Sequence, residues 1–261
     1  WFGLSPLFAF LPGKILGTIL SVVFLMLAAL IVYDALRTGY DLFKEKFFEM
    51  YYDLVRKGML HEAFEWDLLT RHTAEKLGAT CPEDLFYRLM LEGLEKNLVT
   101  VKNGAIELMS WIRESNNIAI LLTNGYRKYQ IPSLKKTQLI DYFDSILAAD
   151  DLETLKPSKS AFEQAVWQAK KLGANDILYI GDHPYFDVYG ALNAGLKVIF
   201  WITDHHMPKN YKVEDLAKDI IIYTKERYGI KLDLTKFHNR IVHVIGSLKT
   251  ILNLESLKKE N

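Results

Sequence analysis

One cysteine, seven prolines and no surplus of either charge are what this 261-residue chain first shows. Cys81 has no partner for an internal disulfide, so no oxidising compartment is implied and cysteine-rich metal sites are excluded. With 32 basic and 32 acidic side chains the formal net charge is zero, which leaves no global field to gather nucleic acid or to hold an anionic membrane surface. There is no internal repeat and no low-complexity tract, which excludes solenoids and fibres. What is there is a chain half apolar and a quarter charged, long enough for one large core or a core domain with a smaller insert. A cytoplasmic location is the default.

Charge is also missing locally. Lys14 is the lone charged residue before Asp34, and Ile15 to Tyr33 is uncharged over about the ~20 residues a helix needs to cross hydrocarbon. A single-pass N-terminal membrane anchor at residues 15–33 is therefore the alternative location. Arg37, Lys44 and Lys46 would place its C-terminal side in the cytoplasm. A basic start and a small-residue cleavage site are lacking, which argues against a signal peptide.

Past residue 34 the apolar period becomes helical. Leu36, Tyr40, Phe43, Phe47, Met50, Tyr51 and Leu54 recur at steps of three and four up to Gly58. A second stretch covers Leu60 to Leu77 and a third Glu83 to Asn97, which makes a helical block. From Val99 onward, short apolar runs (Ile118 to Leu122, Ser145 to Ala148, Ile177 to Ile180, Val198 to Ile202) alternate with helices expected at Ala105 to Glu114, Leu134 to Tyr142, Pro157 to Leu172 and Val188 to Ala194. That alternation predicts an α/β fold with a doubly wound parallel sheet. In the tail, Ile220 to Tyr223 and Ile241 to Ile245 read as strands and Leu248 to Leu257 as a helix.

Three polar clusters follow predicted strands: Thr123-Asn124-Gly125, then Asp150-Asp151 with Lys156-Pro157, then Gly181-Asp182 with Asp187. In a parallel sheet each would project from the carboxyl edge. A hydroxyl, an ammonium and two carboxylates gathered there suit a phosphoryl group and a divalent cation: hydroxyl and backbone N–H groups hold anionic oxygens, lysine offsets charge, carboxylates hold Mg²⁺.

In order and spacing these clusters resemble the haloacid dehalogenase superfamily over residues 99–203. Thr123 in ILLTNG resembles its second motif, Lys156 in LKPSKSAF its third, and Asp182 with Asp187 in YIGDHPYFDVYGALNAGLKVIF its fourth. The resemblance implies a Rossmann-like core (residues 21–39 and 99–261), a helical cap at 40–98, and an apolar segment at 1–20 of unassigned role. It also implies a first motif, a strand followed by Asp-x-Asp-Gly-Thr, whose first Asp is the nucleophile. In Leu30 to Thr38, Asp34 and Thr38 hold the spacing of nucleophile and threonine, whereas Leu36 replaces the acid and Arg37 the glycine. Dehalogenase-type members read Asp-Ala-Tyr-Gly-Thr, which Asp34-Ala35 matches in part. Two other registers, Val22 to Leu30 and Lys14 to Thr18, compete, and Asp34 also suits the N-cap of the helix that follows.

What the resemblance implies chemically is a hydrolase for a small phosphorylated metabolite. Asp34 would form an aspartyl-phosphate that water cleaves. Thr123, with Thr38, Asn124 and Gly125, would bind the phosphoryl group, Lys156 would offset charge, and Asp34, Asp182 and Asp187 would form the Mg²⁺ site. Two alternatives stay open: dehalogenation of a 2-halo acid, which needs no acid at position 36, and a catalytically silent fold that binds a ligand or partner. A doubly wound core requires its first strand between those bearing Thr123 and Asp182, so Leu27 to Tyr33 are expected in the core, and the membrane reading is the less favoured. Oligomeric state is not legible.

Overall fold

The structure, a computed structural model, describes residues 39–206 and 208–252. Asp34, Thr38, the three candidate first-strand registers and the uncharged stretch Ile15 to Tyr33 lie outside the described residues. Among those described, no helix is long and apolar enough to cross a membrane. The described chain forms two compact units, residues 39–100 with Asn124–Gln138, and Val101–Thr123 with residues 139–252.

The first unit is helical. Helix α1 (Gly39–Arg56) buries Phe43, Phe47, Met50, Tyr51 and Val55, one stripe of an amphipathic helix. It stops at Gly58, whose φ of +74° lets Met59 N–H reach back to the Leu54 carbonyl. The stretch expected as one helix over Leu60 to Leu77 is two, α2 (Leu60–Phe64) and α3 (Trp66–Lys76). Glu65 between them is extended, and its carboxylate accepts from Leu68 N–H at 2.7 Å, capping α3. Helix α4 (Leu85–Glu95) follows, and the chain returns later with a further helix, Arg127–Lys136, that packs on it. The core centres on fully buried Trp66, stacked on Phe47, Tyr51 and Phe86 at centroid distances of 5.8, 6.0 and 5.8 Å.

The second unit alternates helix and strand: α5 (Ala105–Glu114), β1 (Ile120–Leu122), β2 (Ser145–Leu147), a helix at Lys159–Lys171, β3 (Leu178–Gly181), a π-helical turn Pro184–Tyr189 running into Gly190–Asn193, β4 (Val198–Ile202), β5 (Lys209–Lys212), a helix at Val213–Tyr228, β6 (Ile241–Ile245) and a last turn at Lys249–Leu252. Among the described residues β1 and β2 form one parallel ladder, and a second sheet has the order β3-β4-β6-β5. Only β5 in it runs antiparallel. The helix Lys159–Lys171 packs against β1, and Leu108, Phe200, Ile202, Ile245 and Ile251 form a buried cluster between α5 and the larger sheet.

Two further sequence expectations change, and one strand was not anticipated. Ile220 to Tyr223, expected as a strand for its β-branched run, lies inside the helix Val213–Tyr228. There Val213, Leu216, Ile220, Thr224 and Tyr228 recur at helical spacing and are buried, with Glu214 and Asp215 in the first turn and Gly229 at φ +66° after the last. Tertiary burial of that stripe outweighs the local strand preference. The helix expected at Leu134 to Tyr142 is displaced: Arg127–Lys136 is helical despite Pro132, and only a short 3₁₀ turn occupies Ile140–Tyr142. The strand Lys209–Lys212 had no apolar signature, as suits a charged edge strand.

Candidate active site

The carboxyl end of β3 is built around a missing side chain. A Cβ on Gly181 would lie 2.4 Å from the Cβ of Asp187, so only glycine lets Asp187 settle over the strand. Between them the loop folds on His183. Its Nδ1 accepts from the N–H groups of Tyr185 (3.1 Å) and Phe186 (3.0 Å), and Nε2 meets the Tyr228 and Tyr223 hydroxyls at 3.1 and 3.3 Å. Two backbone donors on Nδ1 require the neutral tautomer with its proton on Nε2. Burial pushes the His183 pKa down to about 3, with the charges of Lys156 and Arg227 acting in the same direction and Asp187 against it.

Asp187 is thereby turned back on the strand end, and both its oxygens are occupied. Oδ2 accepts from the N–H groups of Asp182 (3.2 Å) and His183 (2.9 Å), and Oδ1 accepts from Lys156 Nζ and Tyr179 Oη, each at 2.7 Å. Burial opposes its charge, but Lys156, the Tyr179 hydroxyl and the His183 N–H outweigh burial and hold the carboxyl below the usual range. Asp182 differs. Its backbone is pinned by Asp187 and by Trp201 Nε1, which donates to its carbonyl at 3.0 Å. Its carboxylate accepts no side-chain hydrogen bond among the described residues and opens to solvent. Desolvation at the strand end, with the charge of Asp187, pushes its pKa up to about 6 against the pull of Lys102 and Lys156.

A carboxylate raised by burial and a neighbouring anion is one that a cation would stabilise. As a hard oxygen donor it suits Mg²⁺, while Asp187 has no lone pair left to offer. Among the described residues no group of three or more His, Cys, Asp or Glu side chains is placed to hold a metal, and Asp34, the third expected ligand, lies outside them.

The other expected residues divide between the units. Thr123 is buried at the end of β1, its N–H bonded to the Leu147 carbonyl at 2.9 Å. Asn124 and Gly125 belong to the helical unit, Asn124 buried and Gly125 covered by the Gln130 side chain. So the structure brings Lys156, Asp182 and Asp187 together. Tyr179 and His183 were missed by sequence reasoning. The available signal was a phenol inside the aliphatic run Ile177 to Ile180, since a buried Tyr hydroxyl needs a partner.

The helical unit carries a polar network of its own. The Tyr129 hydroxyl lies 2.6 Å from Glu65 Oε1 and 2.9 Å from Asp67 Oδ2, and accepts from Asp67 N–H at 2.9 Å. Lys128 pairs with both carboxylates, at 2.9 Å for Asp67, whose other oxygen accepts from Tyr87 N–H at 2.9 Å.

A parallel α/β unit with a lysine–carboxylate pair at a strand's carboxyl end, in a chain that also carries a helical unit, is a Rossmann-like α/β fold. The chain belongs to the haloacid dehalogenase-like hydrolase family, whose model matches residues 32–201. Among curated relatives, pyrimidine 5'-nucleotidase YjjG of Escherichia coli (strain K12) is 36% identical over 103 residues, 40% of this chain and 45% of that protein. N-acylneuraminate-9-phosphatase of Rattus norvegicus is 35% identical over 107 residues, 40% and 42% of the two chains. The chain thus spans under half the length of these relatives. Solved structures share the fold: HAD-hydrolase YfnB from Bacillus subtilis bound to magnesium, at TM-score 0.55 and 19% identity over 92% of both chains, and L-2-haloacid dehalogenase RSc1362, at 0.56 and 16% over 94% and 92%.

Proposed function

We propose that the protein hydrolyses a small phosphorylated metabolite with Mg²⁺, through an aspartyl-phosphate on Asp34. The observation that carries this reading is the Lys156–Asp187 pair at 2.7 Å beside the open carboxylate of Asp182. Asp182 and Asp34 would hold the cation, which when bound would offset phosphoryl charge, and Asp187 would support from behind. Asp34 would attack phosphorus with departure of the substrate oxygen, and water would then break the acyl phosphate, returning the carboxylate and releasing phosphate. Thr123, Thr38, Asn124 and Gly125 would bind the phosphoryl oxygens, and Lys156 would offset the charge that nucleophile and substrate bring together. The matched family span includes Asp34, and the curated relatives cited above are phosphohydrolases.

Leu36 stands where phosphatases of the resemblance carry the acid that protonates the leaving group. General acid help is worth ~10²- to 10⁴-fold, so good leaving groups should be preferred. The same Leu36 favours one second reading, hydrolysis of a 2-halo acid, whose halide needs no proton. Assay with an aryl phosphate, with and without Mg²⁺, and with a 2-halo acid separates the two. Mg²⁺-dependent release of phosphate that Asp34→Asn abolishes is the expected result. Full activity in Asp34→Asn overturns the nucleophile, and no turnover of either substrate leaves a silent binding fold.

A further inference from the structure

We propose that Tyr179 is a positioning residue that fixes the direction of the Lys156 ammonium through Asp187. In β3, residues 179 and 181 face the same side of the sheet. The bare Gly181 admits Asp187 over that face, and the phenol of Tyr179 meets it there. Three polar atoms form a triangle: Lys156 Nζ to Asp187 Oδ1 at 2.7 Å, Tyr179 Oη to the same oxygen at 2.7 Å, and Lys156 Nζ to Tyr179 Oη at 3.3 Å. The hydroxyl donates to the carboxylate and accepts from the ammonium.

A lysine head on a flexible four-carbon stem, held by one ion pair, keeps its distance but swings about the contact. A second acceptor, the Tyr179 hydroxyl, narrows that freedom and sets the direction of the ammonium. The Tyr179 ring is itself braced by buried Phe162, 5.1 Å away at 61°, on the helix that follows Lys156-Pro157. Burial and the charge of Asp187 push the phenol pKa far up, so it stays a neutral donor. This inference rests on the proposed role of Lys156 toward a phosphoryl group, but its first readout does not.

The test compares Tyr179→Phe, which keeps the ring and removes Oη, with Phe162→Leu, which loosens the brace and keeps the hydroxyl. The first readout is the Lys156 ammonium ¹⁵N–¹H signal, assigned with Lys156→Gln. It should be resolved in the wild type and in Phe162→Leu and be lost to solvent exchange in Tyr179→Phe. The second is affinity for inorganic phosphate in Mg²⁺ by calorimetry, expected to fall about tenfold in Tyr179→Phe, the loss of roughly one hydrogen bond to a charged group. Affinity for Mg²⁺ alone should change less than twofold. Should Tyr179→Phe fail to fold, Tyr179→Met serves as the second hydroxyl-free variant. An unchanged Lys156 signal in the hydroxyl-free variant, or its equal loss in Phe162→Leu, overturns the proposal. If the wild type neither binds phosphate nor hydrolyses aryl phosphate, the proposed function fails, and the ammonium signal still decides the role of Tyr179.

Discussion

The two units hold the same four ingredients, one lysine, one tyrosine and two carboxylates, and arrange them differently. In the helical unit Lys128 and Tyr129 reach both Glu65 and Asp67, and Tyr87 N–H and Leu68 N–H take further oxygens, so the network closes on itself. Burial works against the charge of Glu65, but Lys128, Tyr129 and Leu68 N–H overcome it and hold its pKa down. In the α/β unit four donors converge on Asp187, and Asp182 beside it has no side-chain donor among the described residues, its pKa pushed up. A closed network of this kind ties elements together: here it joins the turn between α2 and α3 to the helix Arg127–Lys136. An open one stores an unbalanced charge at a strand end, which is what binds a cation or steers a reaction.

Breaking the open network at its lysine should do the most damage. Lys156→Met leaves Asp187 charged and buried without its cation, at a cost of about 3–5 kcal/mol in denaturant unfolding, and it should end phosphate binding. Breaking the closed one comes next. Asp67→Ala strands the Tyr87 N–H and removes one of the two carboxylate partners of Tyr129 and Lys128, leaving Glu65, an expected loss of about 2–3 kcal/mol, with Mg²⁺ affinity of the folded protein within twofold of wild type. A large fall in Mg²⁺ affinity there would erase the contrast between the networks.

The smallest effect on stability carries the sharpest sign. Asp182 has its folded pKa raised above the unfolded value, so its contribution is fully present below about pH 4 and is lost as pH rises through about 6. Asp182→Asn should therefore match wild-type Tm in acid and equal or exceed it at neutral pH, while Mg²⁺ binding disappears. A lower Tm at neutral pH would mean that Asp182 is a structural carboxylate like Asp67.

The helix Ala105–Glu114 and the strands Val198–Ile202 and Ile241–Ile245 were legible because period and residue type agree with burial there. Ile220 to Tyr223 was not: three consecutive isoleucines speak for a strand locally, and only the stripe from Val213 to Tyr228, buried against the rest of the unit, makes them a helix. Lys156, Asp182 and Asp187 were legible as residue types at strand ends. Tyr179 and His183 were not, because their partners come from other turns of the chain: Lys156, 23 residues before Tyr179, and Tyr228, 45 residues after His183.

What the amino-acid order determined by itself was local and chemical: a neutral chain with one cysteine, a helical block before an α/β alternation, and the order of threonine, lysine and paired aspartates after successive strands. What tertiary structure alone decided was which aspartate is saturated and which is open. That choice follows from a glycine thin enough for Asp187 to lie over β3 and from a loop folded on His183 that aims its backbone N–H groups inward. Residue type sets how many donors and acceptors exist, and only packing in three dimensions assigns them to one another.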